Sequence, residues 1–265
     1  MKTDINFQDN FTSISKMQSK NSSFEVLEYN KLSGGGNDIV AEKIFRMNRA
    51  NIKLNQVKIT LNDGKVKLEA GALHFMNGDI EIKSDVGGIG GLAKKMFSSS
   101  ATGESTFKPE YSGIGEIFLE PSFGNYALIE LENEEIIVGA GLFYACESSV
   151  EVGVSALGVT TAIKSGKGMF QTRLTGTGLV ALEVPVPDFE IIKYSLNGDT
   201  LKVDGDFVIL RSGDLNFTVE KSTKGLLSSA STGEVYLNVY KGTGEVWVVP
   251  TKYIYDKLTP IPTMQ

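Results

Sequence analysis

Apolar and polar side chains alternate with a period of two over most of this chain, the pattern of strands that bury one face. Val57, Ile59 and Leu61 alternate, followed by Val66 with Leu68, Leu73 with Phe75, and Ile80 with Ile82. Turn-favouring residues separate these groups, as at Asn62-Asp63-Gly64 and Asn77-Gly78. The same parity returns at Ile136/Val138, Phe143/Ala145 and Val150/Val152, and again at Leu201/Val203, Val208/Leu210 and Leu215/Phe217. Leu61–Gly71 aligns with Leu131–Gly141 and Leu196–Asp206, at offsets of 70 and then 65. A second block repeats too: Thr102 to Pro121, Gly166 to Val184 and Thr232 to Pro250 each carry an aromatic strand, a Gly-x-Gly and a closing apolar strand.

One unit written three times predicts an all-β fold of three repeated modules. Residues 55–121, 122–186 and 187–250 are the modules, 1–54 an N-terminal extension, partly disordered and then strand-containing, and 251–265 a C-terminal tail. Phe24–Tyr29 reads as a strand and Gly34–Gly36 as a loop, while 38–49 suits a strand or a short helix, with strand the reading preferred. Reading each Gly-x-Gly as a hairpin loop sets Tyr111 opposite Ile117, Leu174 opposite Val180 and Tyr240 opposite Val246, all pointing inward. Ile117, Val180 and Val246 are then expected to be more buried than Glu116, Leu179 and Glu245. In the third module the other face is apolar as well, which makes Val235, Leu237, Val239, Trp247 and Val249 a candidate interaction surface. Internal cover of that face is the competing reading.

Composition narrows the chemistry. With 41% hydrophobic and 22% charged residues, 29 Gly and 7 Pro in 265 residues, the chain is globular and turn-rich. A net charge of −6 opposes a broad phosphate-binding surface, so no nucleic-acid partner is expected. A single cysteine, Cys146, leaves no intrachain disulfide, and a single histidine, His74, removes most zinc-site patterns. His74 aligns with Tyr144 and Ile209, and Cys146 with Met76 and Arg211, so neither position demands its chemistry. Asp79 aligns with Ser149 and Asp214 at a turn edge, and Asp204-Gly205-Asp206 lacks the spacing of a calcium loop. No catalytic residue, metal ligand or cofactor is assigned. The N-terminus has neither an apolar signal segment nor an Arg-rich presequence, and no stretch has the roughly 18 apolar residues of a membrane span, so a cytoplasmic location is expected.

The glycine-rich Gly87–Phe97 fits neither a Walker loop nor a dinucleotide fingerprint. Ile89, Leu92, Met96 and Phe97 beside Lys94 and Lys95 make it a candidate loop contact for a partner or a membrane surface.

The order of Gly71–Glu81, the Gly-Gly-Ile-Gly-Gly-Leu-Ala-Lys-Lys run, Thr102-Gly-Glu and Leu174-Thr-Gly-Thr-Gly178 resembles the altered inheritance of mitochondria protein 24 family over about residues 55 to 250. The resemblance implies double-stranded β-helix modules, similar to the trp RNA-binding attenuation protein fold, in a pseudo-threefold arrangement. It brings no catalytic residues. Asp206, where the other repeats have Gly71 and Gly141, departs from the pattern. A non-enzymatic scaffold or interaction protein, with a protein partner or self-association, is the function expected. The alternatives are a module binding a small ligand or lipid headgroup, and an enzyme with an unrecognised site.

Overall fold

The computed structural model describes residues 10–83, 108–157, 161, 164–165, 170–222 and 236–259. Strands β1 (Phe11–Gln18) and β2 (Ser22–Tyr29) form a hairpin, and helix α1 (Asp38–Arg49) follows. Next come β3 (Asn55–Leu68), β4 (Leu73–Lys83), β5 (Glu110–Leu119), β6 (Asn125–Val138), β7 (Phe143–Glu147), β8 (Val150–Ala156) and β9 (Phe170–Val184). A 3₁₀ turn at Asp188–Glu190 leads into β10 (Ile192–Asp204), β11 (Val208–Ser212), β12 (Asp214–Lys221), β13 (Tyr236–Val248) and helix α2 (Lys252–Leu258). The thirteen strands make one antiparallel sheet, running β1-β2-β3-β7-β9-β6-β11-β13-β10, with β4 and β5 joined to β3, β8 to β9 and β12 to β13.

The turn-like residues do not reverse the chain. Asn62-Asp63-Gly64 lies within β3, where pairing with β5 passes from Asn62↔Ile114 to Gly64↔Gly113 and skips Asp63, whose φ is +54°. A residue that tolerates the left-handed region can be looped out as a bulge just as it can make a turn. Asn133 (φ +57°) is skipped in the same way between β6 and β9, and Gly198 (φ +73°) between β10 and β13.

Each Gly-x-Gly is likewise mid-strand rather than a hairpin loop. Gly113 pairs with Gly64 on one side and Ile80 on the other, at φ +141°, and a side chain there would overlap the Asp79 carbonyl. Backbones pass too closely at that crossing for any residue with a Cβ. Tyr111, Leu174, Tyr240, Ile117, Val180 and Val246 are all buried, as the parity predicts, but the first three are joined to the last three along one strand, not across a hairpin.

Burial agrees with the expected contrast at Ile117 against Glu116 and at Val246 against Glu245, but not at Leu179, which is as buried as Val180. The reason lies in the sheet. Leu179 and Ala181 enter a core built on β2, β3 and β5, while Val180 and Leu182 face a second core built on β6, β7 and β9. A third, smaller core of Leu196, Val208, Tyr240, Val246 and Val248 lies at the β10–β13 end.

Residues 38–49 form a helix, contrary to the preferred strand reading. Asn37 caps it, its Oδ1 accepting from the Val40 N–H at 2.9 Å, with Asp38 in the first turn and Arg46 and Arg49 in the last. Within the polar opening stretch Phe11–Gln18 forms a strand, and Met17 of β1 packs against the first core. Glu147 ties that hairpin down: its Oε1 accepts from Ser19 and Ser22 hydroxyls at 2.6 Å each, and its Oε2 from the Leu179 N–H at 2.9 Å. In the third aligned stretch a left-handed glycine stands one place earlier than the alignment suggests, since Gly205 has φ +78° against +86° at Gly71 and +81° at Gly141.

Candidate interaction surface

Three cross-strand pairs occupy matching places in the aligned stretches: Phe75↔Phe118, Ala145↔Ala181 and Leu210↔Trp247. The last two are buried. Ala145 and Ala181 are fully enclosed in the first core, against Leu68 and Val66 of β3, and Leu210 and Trp247 lie in the second, with Val138 and Ile136 of β6. Each pair thus packs on the strand block that precedes it in sequence. The Phe75–Phe118 pair, stacked with ring centroids 4.4 Å apart, has no such block packed on it among the described residues, and Phe75 remains 48% exposed. Lys58 sits over the Phe118 ring at 5.5 Å and pairs with Glu116 at 2.5 Å, which screens one side of the stack. Met76, beside it, is 38% exposed, whereas its counterparts Cys146 and Arg211 are 0% and 8% exposed. Ile82 on β4 and Ile114 on β5 are exposed as well, on opposite faces of the pair, since Ile82 lies opposite Tyr111 and Ile114 opposite Asp79.

The residues expected to form a surface in the third module lie elsewhere. Trp247 and Val249 belong to the second core, Val239 is buried and Leu237 half-buried, so this face is covered from within the chain. β13 is sandwiched as β9 is, and apolar alternation on both faces follows from that. Val235 lies outside the described residues, as do Ile89, Leu92, Lys94, Lys95, Met96 and Phe97.

Polar chemistry is dispersed. His74 is exposed, with Nδ1 3.4 Å from Gln56 Nε2. Cys146 is enclosed, and burial pushes its thiol up to about 12, which keeps it protonated and unreactive. Tyr126 and Tyr144 pack at 5.2 Å, Tyr126 sharing a 2.8 Å bond with the Ser122 hydroxyl and Tyr144 donating to the Glu120 carbonyl, and burial raises both phenols. Among the described residues no three His, Cys, Asp or Glu side chains converge as metal ligands, and no helix is long and apolar enough to cross a membrane. A cavity of about 320 Å³ is lined by Glu135, Ile137, Arg211, Ser212, Asp214 and Phe217 among others. Arg211 donates to Gln171 Oε1 at 3.1 Å and lies 5.1 Å from the Phe217 ring, and burial lowers its pKa.

These features define a β-sheet protein whose most distinctive surface is an uncovered aromatic and apolar strand. A family model described as Mitochondrial biogenesis AIM24 matches residues 47–251, and the chain belongs to that family. It is 26% identical over 166 residues to an uncharacterised protein of Streptococcus pyogenes serotype M6; the match covers 61% of this chain and 65% of that relative's length. The crystal structure of protein SPYM3_0169 from Streptococcus pyogenes is similar at a TM-score of 0.56 and 22% identity, covering 78% of this chain and 93% of the other. That likeness concerns the fold.

Sequence reasoning placed Phe75 and Phe118 on a strand but not in a site. The signal was present in the alignment, where two phenylalanines stand opposite small or enclosed residues of the other repeats.

Proposed function

We propose that this protein is a non-enzymatic scaffold that binds other polypeptide chains through the surface of a β body. The body itself is read as three double-stranded β-helix modules joined in succession. Matched bulges at Asp63, Asn133 and Gly198, and matched pairs around each Gly-x-Gly, support that architecture. One observation carries the functional reading: Phe75 is exposed and its stacked partner Phe118 half-buried at the place where the two counterpart pairs are buried against a neighbouring strand block. Stacked aromatics beside an apolar strand are typical anchors of protein interfaces.

The test is a native pull-down with mass spectrometry under conditions that retain lipids and small ligands, comparing the wild type with Phe75→Asp. A partner chain lost in the variant is the expected result. Equal recoveries from both proteins would contradict the reading.

The cavity at Arg211 favours one second reading, a small-ligand site. Its buried guanidinium forms no ion pair among the described residues and would recognise a carboxylate or phosphate group. Recovery of a small anion by the wild type and not by Arg211→Met would establish it.

A further inference from the structure

Two joints inside the chain follow one rule. β7 pairs with β3 through Ala145↔Leu68, Cys146↔Lys67 and Glu147↔Val66, and β11 pairs with β6 through Leu210↔Val138, Arg211↔Ile137 and Ser212↔Ile136. The backbone bonds beyond these ladders match as well. Glu69 N–H donates to the Tyr144 carbonyl at 2.8 Å, and Gly139 N–H to the Ile209 carbonyl at 3.0 Å. In each joint the end of a long strand meets a short strand from the following block.

Carrying the alignment one step further names the two halves of a third joint. The counterparts of Ala145-Cys146-Glu147 are Phe75-Met76-Asn77 in β4, and those of Val66, Lys67 and Leu68 are Leu201, Lys202 and Val203 in β10. Neither half is paired. β4 bonds only to β5, and β10 only to β13, among the described residues. Exposure follows that difference. Val66, Leu68, Ile136 and Val138 are buried, but Leu201 and Val203 are only half-buried, and Lys202 is exposed. On the other side β7 and β11 are buried over four consecutive residues, while His74, Phe75, Met76 and Asn77 are all exposed.

We infer that these two edges join copies of the chain head to tail, β10 of one copy pairing antiparallel with β4 of the next. The inference rests on the interaction reading above and names the partner as a second copy. In the register of the two internal joints, Phe75 lies opposite Val203, Met76 opposite Lys202 and Asn77 opposite Leu201. An aromatic residue facing a β-branched one is a favourable cross-strand pair. The Phe75–Phe118 stack then receives the cover that Ala145–Ala181 and Leu210–Trp247 already have. Unpaired strand edges with matching register are templates for another chain. Because the two surfaces differ, the contact is heterologous, and it continues into a ring or a filament.

The third joint would present the N–H of Lys202 to β4, just as β7 bonds to β3 through Lys67, its partner in the H-bonded register. Lys202→Pro removes that donor on an edge where proline is otherwise tolerated, whereas Lys202→Ala keeps it. Light scattering after size exclusion, over a hundredfold range of concentration, is the experiment, with Met76→Lys as an independent variant. Masses at multiples of one chain are expected for the wild type and for Lys202→Ala. Lys202→Pro, which removes the donor, and Met76→Lys, which sets a like charge directly opposite Lys202, should need at least about tenfold more protein to associate. A single-chain mass at every concentration overturns the inference, whether the edges stay open or close on each other within one copy. So does association unaffected by Met76→Lys. A monomer that still captures another protein through Phe75 would leave the interaction reading standing and remove only self-assembly.

Discussion

Met76 and Cys146 hold matching places on strands of the same kind, yet one is 38% exposed and the other fully enclosed. Both are sulfur-bearing apolar side chains, so composition does not separate them. The neighbour does. Cys146 sits on β7, held between β9 and β3, while Met76 sits on β4, which has β5 on one side and no strand on the other among the described residues. Burial in this sheet is conferred by the strand block on which each pair packs, and among the described residues no such block lies on β4. Core size follows the same logic at the other end, where the cluster around Tyr240 is smaller than the two that receive side chains from a following block.

The sharpest way to break that comparison is to place the same charge at both positions. Cys146→Asp buries a carboxylate without a partner and is expected to cost about 3–5 kcal/mol, enough to unfold much of the protein. Met76→Asp should change stability by no more than about 0.5 kcal/mol in dilute solution, since its side chain already meets water. Urea unfolding at low protein concentration reads both. Equal losses would mean that β4 is as enclosed as β7.

A backbone comparison comes next. Gly113→Ala drives a methyl into the Asp79 carbonyl of β4 and is expected to cost more than about 2 kcal/mol. Gly71→Ala, at positive φ but in open space, should cost about 1 kcal/mol, the penalty of the left-handed conformation alone. Thermal melts of the two variants would bring the costs together if β4 were not held against β5 at that crossing.

Near neutral pH the smallest expected effect on stability concerns the thiol. Cys146 in the folded protein keeps its proton up to about 12, whereas an unfolded thiol ionises near about 8.5. The folded form therefore binds the extra proton between those values. Stability from this group is intact below about 8.5 and is lost as pH rises towards about 12. At pH 8 an aromatic disulfide reagent should label native Cys146 far more slowly than the denatured chain. A Met76→Cys, Cys146→Ala protein should label at nearly the denatured rate when dilute. Fast labelling of native Cys146 would remove the enclosed environment on which the comparison depends.

Much of this was legible in the chain. Parity along Val57-Ile59-Leu61, Val66-Leu68 and Ile136-Val138 marks the buried face correctly, because side-chain direction in a strand depends only on the period, but the same parity fails to bury Phe75 and Ile82, each 48% exposed. Turn chemistry was ambiguous for a physical reason: Asp63, Asn133 and Gly198 relieve the same steric conflict in a bulge as in a hairpin, and local sequence does not say whether the chain reverses. The apolar run Leu179-Val180-Ala181-Leu182 signalled a strand covered on both sides, the same signal that Trp247 and Val249 carried when read as an exposed face. Helix α1 was announced by Asn37 and Asp38, but a period-two context obscured it. The exposure of Phe75 lies beyond local pattern altogether. It is set by which strand stands next to β4, a property of the whole sheet.

Hydrogen exchange resolved to single amides, followed as protein concentration is raised, tests the complementarity of the two edges most directly. The N–H groups of Met76 in β4 and Lys202 in β10 should exchange as open edges when dilute and become protected together as concentration rises, with Cys146 and Lys67 protected throughout. Fast exchange of Met76 and Lys202 at every concentration, or equal protection at the highest dilution, would contradict the account.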